Sequence, residues 1–197
     1  MIPSEIASGG YVVGFGQFLF AEQHKPFSYP NPGPGGQPTP RGYTVDHNRI
    51  RLGAGREVFE RGVEALKHWK MFNFAWLNLC WAEAPIETGT TVGVLARLPG
   101  FWSLNACRIV FVIDEEGEVR RYGFAYGTLP AHVERGQESF VIEWHSKDDS
   151  VWYDILAYSR PNHLLAKMGY PVTRLLQRRF ARDSMKAMLS ASRMPPS

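Results

Sequence analysis

GFAYGTLPAHVERGQESFVIEW, residues 123–144, changes character twice within 22 residues. In its first third Phe124, Tyr126 and Thr128 alternate with Gly123, Ala125 and Gly127; in its last third Phe140, Ile142 and Trp144 alternate with Ser139, Val141 and Glu143. Successive side chains on a strand point to opposite faces, so each third reads as a strand with one large apolar face. The aromatic faces point inward, and the small residues opposite them let a sheet bend. Leu129-Pro130 interrupts the pattern. A connection this short joins antiparallel neighbours, because a parallel pair needs a crossover of a dozen residues or more. The turn itself carries His132, Glu134, Arg135 and Glu138, which is either a site or a polar knot holding two strands together.

The same period of two extends on both sides. FAWLNLCW, TTVGVLARL, NACRIVFVID, VRRYGFAYGTL, ESFVIEW and SVWYDILAYS read as six successive strands between residues 74 and 159. Their breaks are Ala84-Pro85, Pro99-Gly100, Glu116-Gly117, Leu129-Pro130 and Lys147-Asp148-Asp149, so the sheet is an antiparallel meander. Before it, YTVDHNRIRLG is a strand ending at Gly53, and REVFERGVEALKHW is a helix, with Val58, Phe59, Val63, Leu66 and Trp69 at three- and four-residue steps. After it, NHLLAKMG is a short helical piece. Pro171 opens a long helix whose apolar stripe is Val172, Leu175, Leu176, Phe180, Met185 and Met188, with Arg174, Arg178, Arg182 and Lys186 on another face.

Residues 26–42 contain six prolines and four glycines and read as a long loop. Residues 1–42 are therefore an N-terminal arm and linker, and 43–197 a single α+β domain, a curved antiparallel sheet of six or seven strands around the C-terminal helix. The arm holds Tyr11, Val12, Val13, Phe15, Phe18, Leu19 and Phe20, enough apolar surface to dock on the body. One domain of this length buries about two thirds of the surface its unfolded chain exposes.

Composition narrows the partners. A net charge of +3 is too small to imply nucleic acid, which is not expected as a partner. The basic residues do concentrate from Lys167 onward, against the single acid Asp183, which gives the last helix a surface for weak contact with an anionic membrane. Cys80 and Cys107 make no disulfide framework and fit a reducing cytoplasm. No apolar run is long enough to span a bilayer, and the N-terminus lacks a signal pattern, so a soluble protein is expected.

The element order of strand, helix, six strands and long helix resembles the helix-grip fold of START-like and Bet v 1-like lipid and polyketide binders. More specifically, RLGAGREVFERGVEALKHW, GTTVGVLARL, GFAYGTLPAHVERGQESFVIEW, SVWYDILAYSRP and GYPVTRLLQRRFARDSMKAM resemble the domain-of-unknown-function family numbered nineteen-ninety. That resemblance implies no reaction, substrate, cofactor or catalytic residue.

His132 and Glu134 form a His-x-Glu pair able to serve as general base and orienting acid. Alternatively, Glu134 and Glu138 pair with Arg135, Arg120 or Arg108 while His132 fixes the turn. The six histidines show no metal-ligand spacing, so no metal is expected. GAGRE, residues 53–57, lacks the Lys-Ser/Thr of a phosphate loop and reads as a helix start. In SRPNH, residues 159–163, Ser159 or Asn162 caps the final helix and Arg160 reaches Asp154 or Glu134; alternatively, Arg160 and His163 hold an acidic head group. The favoured function is binding of a hydrophobic small molecule or lipid between sheet and helix, without a cofactor. Phe111, Phe124, Tyr126, Ile142, Trp144 and Tyr153 line the cavity, with Arg108, Thr128 or His132 orienting a polar end. The alternative is a cyclase, hydratase or hydrolase using His132 and Glu134.

Overall fold

The structure, a computed structural model, describes residues 9–30, 32–33, 41–98, 100–162 and 170–193. The chain forms α1 (Gly9–Glu22), β1 (Thr44–Ala54), α2 (Arg56–Lys67), a 3-10 turn (Lys70–Phe72), β2 (Leu77–Leu79), β3 (Thr91–Leu98), β4 (Phe101–Glu115), β5 (Val119–Thr128), β6 (Glu134–His145), β7 (Ser150–Pro161) and α3 (Tyr170–Arg193). The seven strands make one sheet in the order β1-β7-β6-β5-β4-β3-β2, antiparallel throughout. It curls around α3, which is the expected helix grip.

Register aligns the inward residues in rungs across the sheet. One rung is Tyr122–Ile142–Tyr153–Ile50, the next Phe124–Phe140–Ile155–Asn48, and the next Tyr126–Glu138–Ala157–Asp46. Apolar character therefore fades along the sheet. The first two rungs are covered by α2, which starts where Gly55 turns at φ 90° and donates its N–H to the Asp149 carbonyl at 2.9 Å. Gly62 brings α2 close to the sheet: a Cβ there would lie 3.2 Å from Ile142 Cγ2. Phe59, Val63 and Leu66 fill this end together with Phe124, Phe140, Tyr153 and, from α3, Met188. Trp69 opens the 3-10 turn with a left-handed φ of 52°; its indole donates to the Ala84 carbonyl and its ring meets Phe124.

The convex face carries the arm. Leu19 packs over Gly93, and the buried Glu22 accepts the Ala131 N–H. Tyr29 donates to Gln137 Oε1 at 2.9 Å, and a Cβ on Gly127 would fall 2.2 Å from the Tyr29 hydroxyl. Thus Gly127 makes room for an aromatic ring. Gly123 instead sits against the neighbouring strand, where a Cβ would meet the Phe140 carbonyl.

Several expectations are corrected. FAWLNLCW contributes only Leu77–Leu79 to the sheet, because Phe74 and Trp76 turn to stack with each other and Phe74 meets Phe180. Val172 and Leu175 are 60% and 64% exposed, so the buried side of α3 runs instead through Phe180, Ala181, Ser184 and Met188. Arg174 leaves the basic face and turns in to Asp46. Asn162 does not cap the helix; it donates to the Pro130 and His132 carbonyls and so ties the β5–β6 turn to the end of β7. Ser159 bonds to Gln177, and Arg160 lies over Tyr43 rather than reaching a carboxylate. The NHLLAKMG segment beyond Asn162, including His163 and Lys167, is outside the described residues.

Candidate functional site

Beyond the packed rungs the inner face of the sheet and the first half of α3 separate, leaving a cavity of about 720 Å³. Its walls are largely apolar: Phe72, Trp76, Leu77, Val94, Ala96 and Leu98 from the β2–β3 side, Leu176 and Phe180 from α3. The exposed Val133 and Val172 both line it and mark its mouth. Its polar end is the rung Tyr126–Glu138–Ala157–Asp46 with Glu134 and His132 beside it.

Tyr126, Glu134, Asp46 and Thr128 each have a defined partner. The Tyr126 hydroxyl donates to Glu138 Oε2 at 2.8 Å, and Gln177 donates from α3 to Glu134 Oε1 at 2.6 Å and to Ser159 at 2.9 Å. Arg174 grips Asp46 with both terminal nitrogens, at 2.5 and 2.6 Å. Such a fork on a carboxylate fixes geometry as well as charge. Thr128 has its hydroxyl occupied by Ser28, 2.6 Å away, and by the Gly136 backbone.

Burial sets the charge states. Desolvation pushes the Glu138 carboxyl up to about 8, helped by Glu134 and Asp46 and opposed by the Tyr126 hydrogen bond. Desolvation likewise raises Glu134 to about 7, against the pull of Gln177 and Arg174. Burial holds His132 down to about 4, so its imidazole is neutral at pH 7. Glu138 keeps part of its surface open to the cavity while the body of the protein encloses it. The opening matters for access and the enclosure for charge.

Tyr126, Thr128, His132 and Glu134 are brought together around this cavity. His132 and Glu134 do not form the expected side-chain pair: His132 Nδ1 accepts the backbone N–H of Glu134 at 2.9 Å, so the carboxylate does not orient the ring. The proton therefore sits on Nε2. Neither Glu134 nor Glu138 pairs with Arg135, Arg120 or Arg108, since those cations bond to Asn162, Glu116 and the Gln23 carbonyl.

The other expected lining residues lie elsewhere. Phe124, Ile142 and Tyr153 are fully buried in the packed end. Trp144 borders a separate recess of about 220 Å³ with Phe59 and Arg120, its indole donating to Asp149. Arg108 and Phe111 are on the convex face, opposite Gly127 and Ala125. A bulge between Ile109 and Phe111 resets the alternation of β4, and Arg108 lies 4.3 Å over the Phe27 ring. Asp46, Trp76, Arg174, Gln177 and Phe180 complete the site unannounced, and Glu138, read in the sequence as part of the turn's polar cluster, joins them. Alternation held the signal for two of them, because Glu138 is in phase with Phe140 and Asp46 with Ile50. Among the described residues no group of three or more acidic, histidine or cysteine side chains is placed to hold a metal.

Comparison with known proteins adds kinship. The family model described as Domain of unknown function (DUF1990) matches residues 28–187. A UPF0548 protein of Dictyostelium discoideum is 42% identical over 158 residues, 76% of this chain and 73% of that protein. A UPF0548 protein of Arabidopsis thaliana is 36% identical over 152 residues, 75% of this chain and 73% of its own. Among solved structures, a hypothetical protein of Helicobacter pylori shares the fold, with a TM-score of 0.51 at 11% identity over 84% of this chain and 95% of that one. Human STARD10 aligns with a TM-score of 0.47 at 14% identity over 94% of this chain and 79% of its own.

Proposed function

The chain belongs to the DUF1990 family, and we propose that it binds a hydrophobic small molecule or lipid in the cavity between the sheet and α3. The observation that carries this reading is the cavity itself. Protein interiors pack like organic crystals, with few voids larger than a water molecule, whereas 720 Å³ lies within the range of small-molecule pockets. A ligand that removes roughly 200 Å² of apolar surface from water gains about 5 kcal/mol before the costs of association.

The test uses N-phenyl-1-naphthylamine, an uncharged apolar probe that fluoresces when removed from water. The expected result is saturable binding by the native protein and none by Ala96→Phe, which fills the cavity at a wall position. No saturable binding by the native protein, or equal binding by a folded Ala96→Phe variant, overturns the proposal.

A second reading, an enzyme acting on the bound molecule, draws on one observation: Glu134 and Glu138 titrate near neutrality, as general acids and bases must to work at that pH. In that reading Glu134 exchanges the proton and His132, through Nε2–H, donates to the reacting group, as in a cyclase, hydratase or hydrolase. Glu134→Gln then abolishes turnover of whatever molecule co-purifies; turnover unchanged in that variant refutes it.

The outer surface of α3 suits a further contact. Arg178, Arg179, Arg182 and Lys186 flank the exposed Val172 and Leu175 beside the cavity mouth, an arrangement fit for weak docking on an anionic membrane. No helix among the described residues is long and apolar enough to cross a membrane. Free Cys80 and Cys107 suit a reducing compartment such as the cytoplasm.

A further inference from the structure

The polar end of the cavity carries more carboxyl groups than facing cations. From this we infer the ligand class: a hydrophobic amine, bound as its ammonium between Glu134 and Glu138, with its apolar body among Phe72, Trp76 and Phe180. The inference rests on the cavity-binding reading above and narrows it.

The geometry supplies the acceptors. Glu138 uses Oε2 to receive the Tyr126 hydroxyl, and Oε1 makes no hydrogen bond to the protein among the described residues. Glu134 uses Oε1 to receive Gln177 and likewise keeps Oε2 open. Both residues line the cavity, and burial together with the charge of Glu134 disfavours ionisation of Glu138. An ammonium donates up to three hydrogen bonds and accepts none, which matches two open carboxyl oxygens. The rings of Phe72, Trp76, Tyr126 and Phe180 add apolar faces that also tolerate a cation.

The charges favour an amine over the alternatives. Groups facing Glu138 are Tyr126 and Cys107 from β5 and β4, Tyr153 from β7, Glu134 from its own strand and Asp46 from β1. Among the described lining residues the one Lys or Arg is Arg178, at the exposed rim; Arg174, outside the lining, grips Asp46 and draws Glu134 toward its ionised form. Once Glu134 and Glu138 are ionised, a carboxylate ligand meets them as like charges. An uncharged alcohol meets no repulsion but gains no ion pair.

The pairing is linked to protons. Burial leaves Glu138 largely protonated and Glu134 partly so at neutral pH. A bound ammonium stabilises both ionised forms, so their protons pass to the buffer as the complex forms. Amine binding therefore tightens as pH rises from 6 to 8, a range in which the amine itself stays charged.

The test is displacement of N-phenyl-1-naphthylamine by 4-phenylbutan-1-amine, 4-phenylbutan-1-ol and 4-phenylbutanoate at pH 6 and 8. The expected order at pH 8 is amine at least about tenfold tighter than alcohol, with the acid weakest, and a narrower gap at pH 6. Calorimetry of amine binding at pH 7.5 in phosphate and in Tris is expected to show roughly one proton released per ligand. Glu138→Gln is expected to bring the amine-to-alcohol ratio to within about threefold. An alcohol that matches the amine at pH 8, or amine binding without proton release, overturns the inference and leaves the cavity reading standing. A protein that never binds the fluorescent probe overturns both.

Discussion

The same four strands build a solid end and a hollow end of one inner surface. In the solid end the rung Phe124–Phe140–Ile155 is fully buried beneath α2 and the last turns of α3. One rung further along, Tyr126–Glu138–Ala157–Asp46 faces a cavity roofed by the first turns of α3. Secondary structure and register are unchanged between them. The helix above and the side chains on the rung differ together. Where α2 supplies Phe59, Val63 and Leu66, the sheet offers apolar partners; where it does not, the sheet offers hydrogen-bonding groups, and Phe72, Trp76 and Phe180 from the 3-10 turn, the segment before β2 and α3 supply the aromatic wall. One end stabilises the fold, and the other is available for a ligand.

The contrast predicts opposite responses to substitution. Phe140→Ala in the solid end is expected to lower unfolding free energy by about 4 kcal/mol, whereas Leu176→Ala in the hollow end costs under about 1 kcal/mol. Urea denaturation of the two variants checks this, and equal losses would erase the distinction.

Next in size is the pH dependence of the buried carboxyls. A raised carboxyl holds a proton in the folded state that the unfolded chain has already lost. Its stabilising contribution is therefore complete below the ordinary carboxylate range near 4.5 and is lost as pH rises through about 8 for Glu138. Glu138→Gln removes that loss. At pH 9 the variant is expected to be more stable than the native protein by ~2 kcal/mol, less than the full linkage value because the side chain is partly open to the cavity, and nearly equal at pH 4. His132 acts in the other direction: its lowered value costs stability as pH falls from about 6.5 through about 4. Thermal unfolding across pH 4–9 reads both arms.

A smaller effect belongs to the pair that joins α3 to the edge strand. Asp46→Asn weakens the Arg174 fork, and with both side chains about a quarter exposed or less the coupling with Arg174→Met is expected near 1.5 kcal/mol in a double-mutant cycle. The smallest is Trp144→Phe, which removes one hydrogen bond to Asp149 outside the cavity. It is expected to cost about 1 kcal/mol and to leave probe affinity unchanged.

These regions were unequally legible in the sequence. Regular alternation in β5 and β6, with an abrupt switch to helical spacing in α2, exposed the sheet and its cover, because period reports burial directly. It placed Phe124, Tyr126, Phe140 and Ile142 on the inner face, where the structure has them. It misplaced Phe111, because the bulge after Ile109 inserts one residue and nothing in NACRIVFVID marks it; Arg108, out of phase with Cys107 and Ile109, belongs to the outer face by alternation as well. Val172 and Leu175 fit a helical stripe but lie where no described element packs above them, which spacing within one helix does not reveal. The site was least legible of all. His132 and Glu134 are two residues apart and suggest a pair, yet the chain uses His132 on a backbone N–H and draws Gln177 to Glu134 across 43 residues. Such long-range bonds follow from topology.

The division into solid and hollow ends is tested most directly by methyl NMR during a titration with N-phenyl-1-naphthylamine. The methyl groups of Leu77, Val94, Leu98 and Leu176, which line the cavity, are expected to shift in a saturable manner while those of Val63, Leu66, Ile142 and Val151 stay in place. Shifts confined to the second group, or scattered over exposed methyls such as Val45 and Leu156, would contradict it.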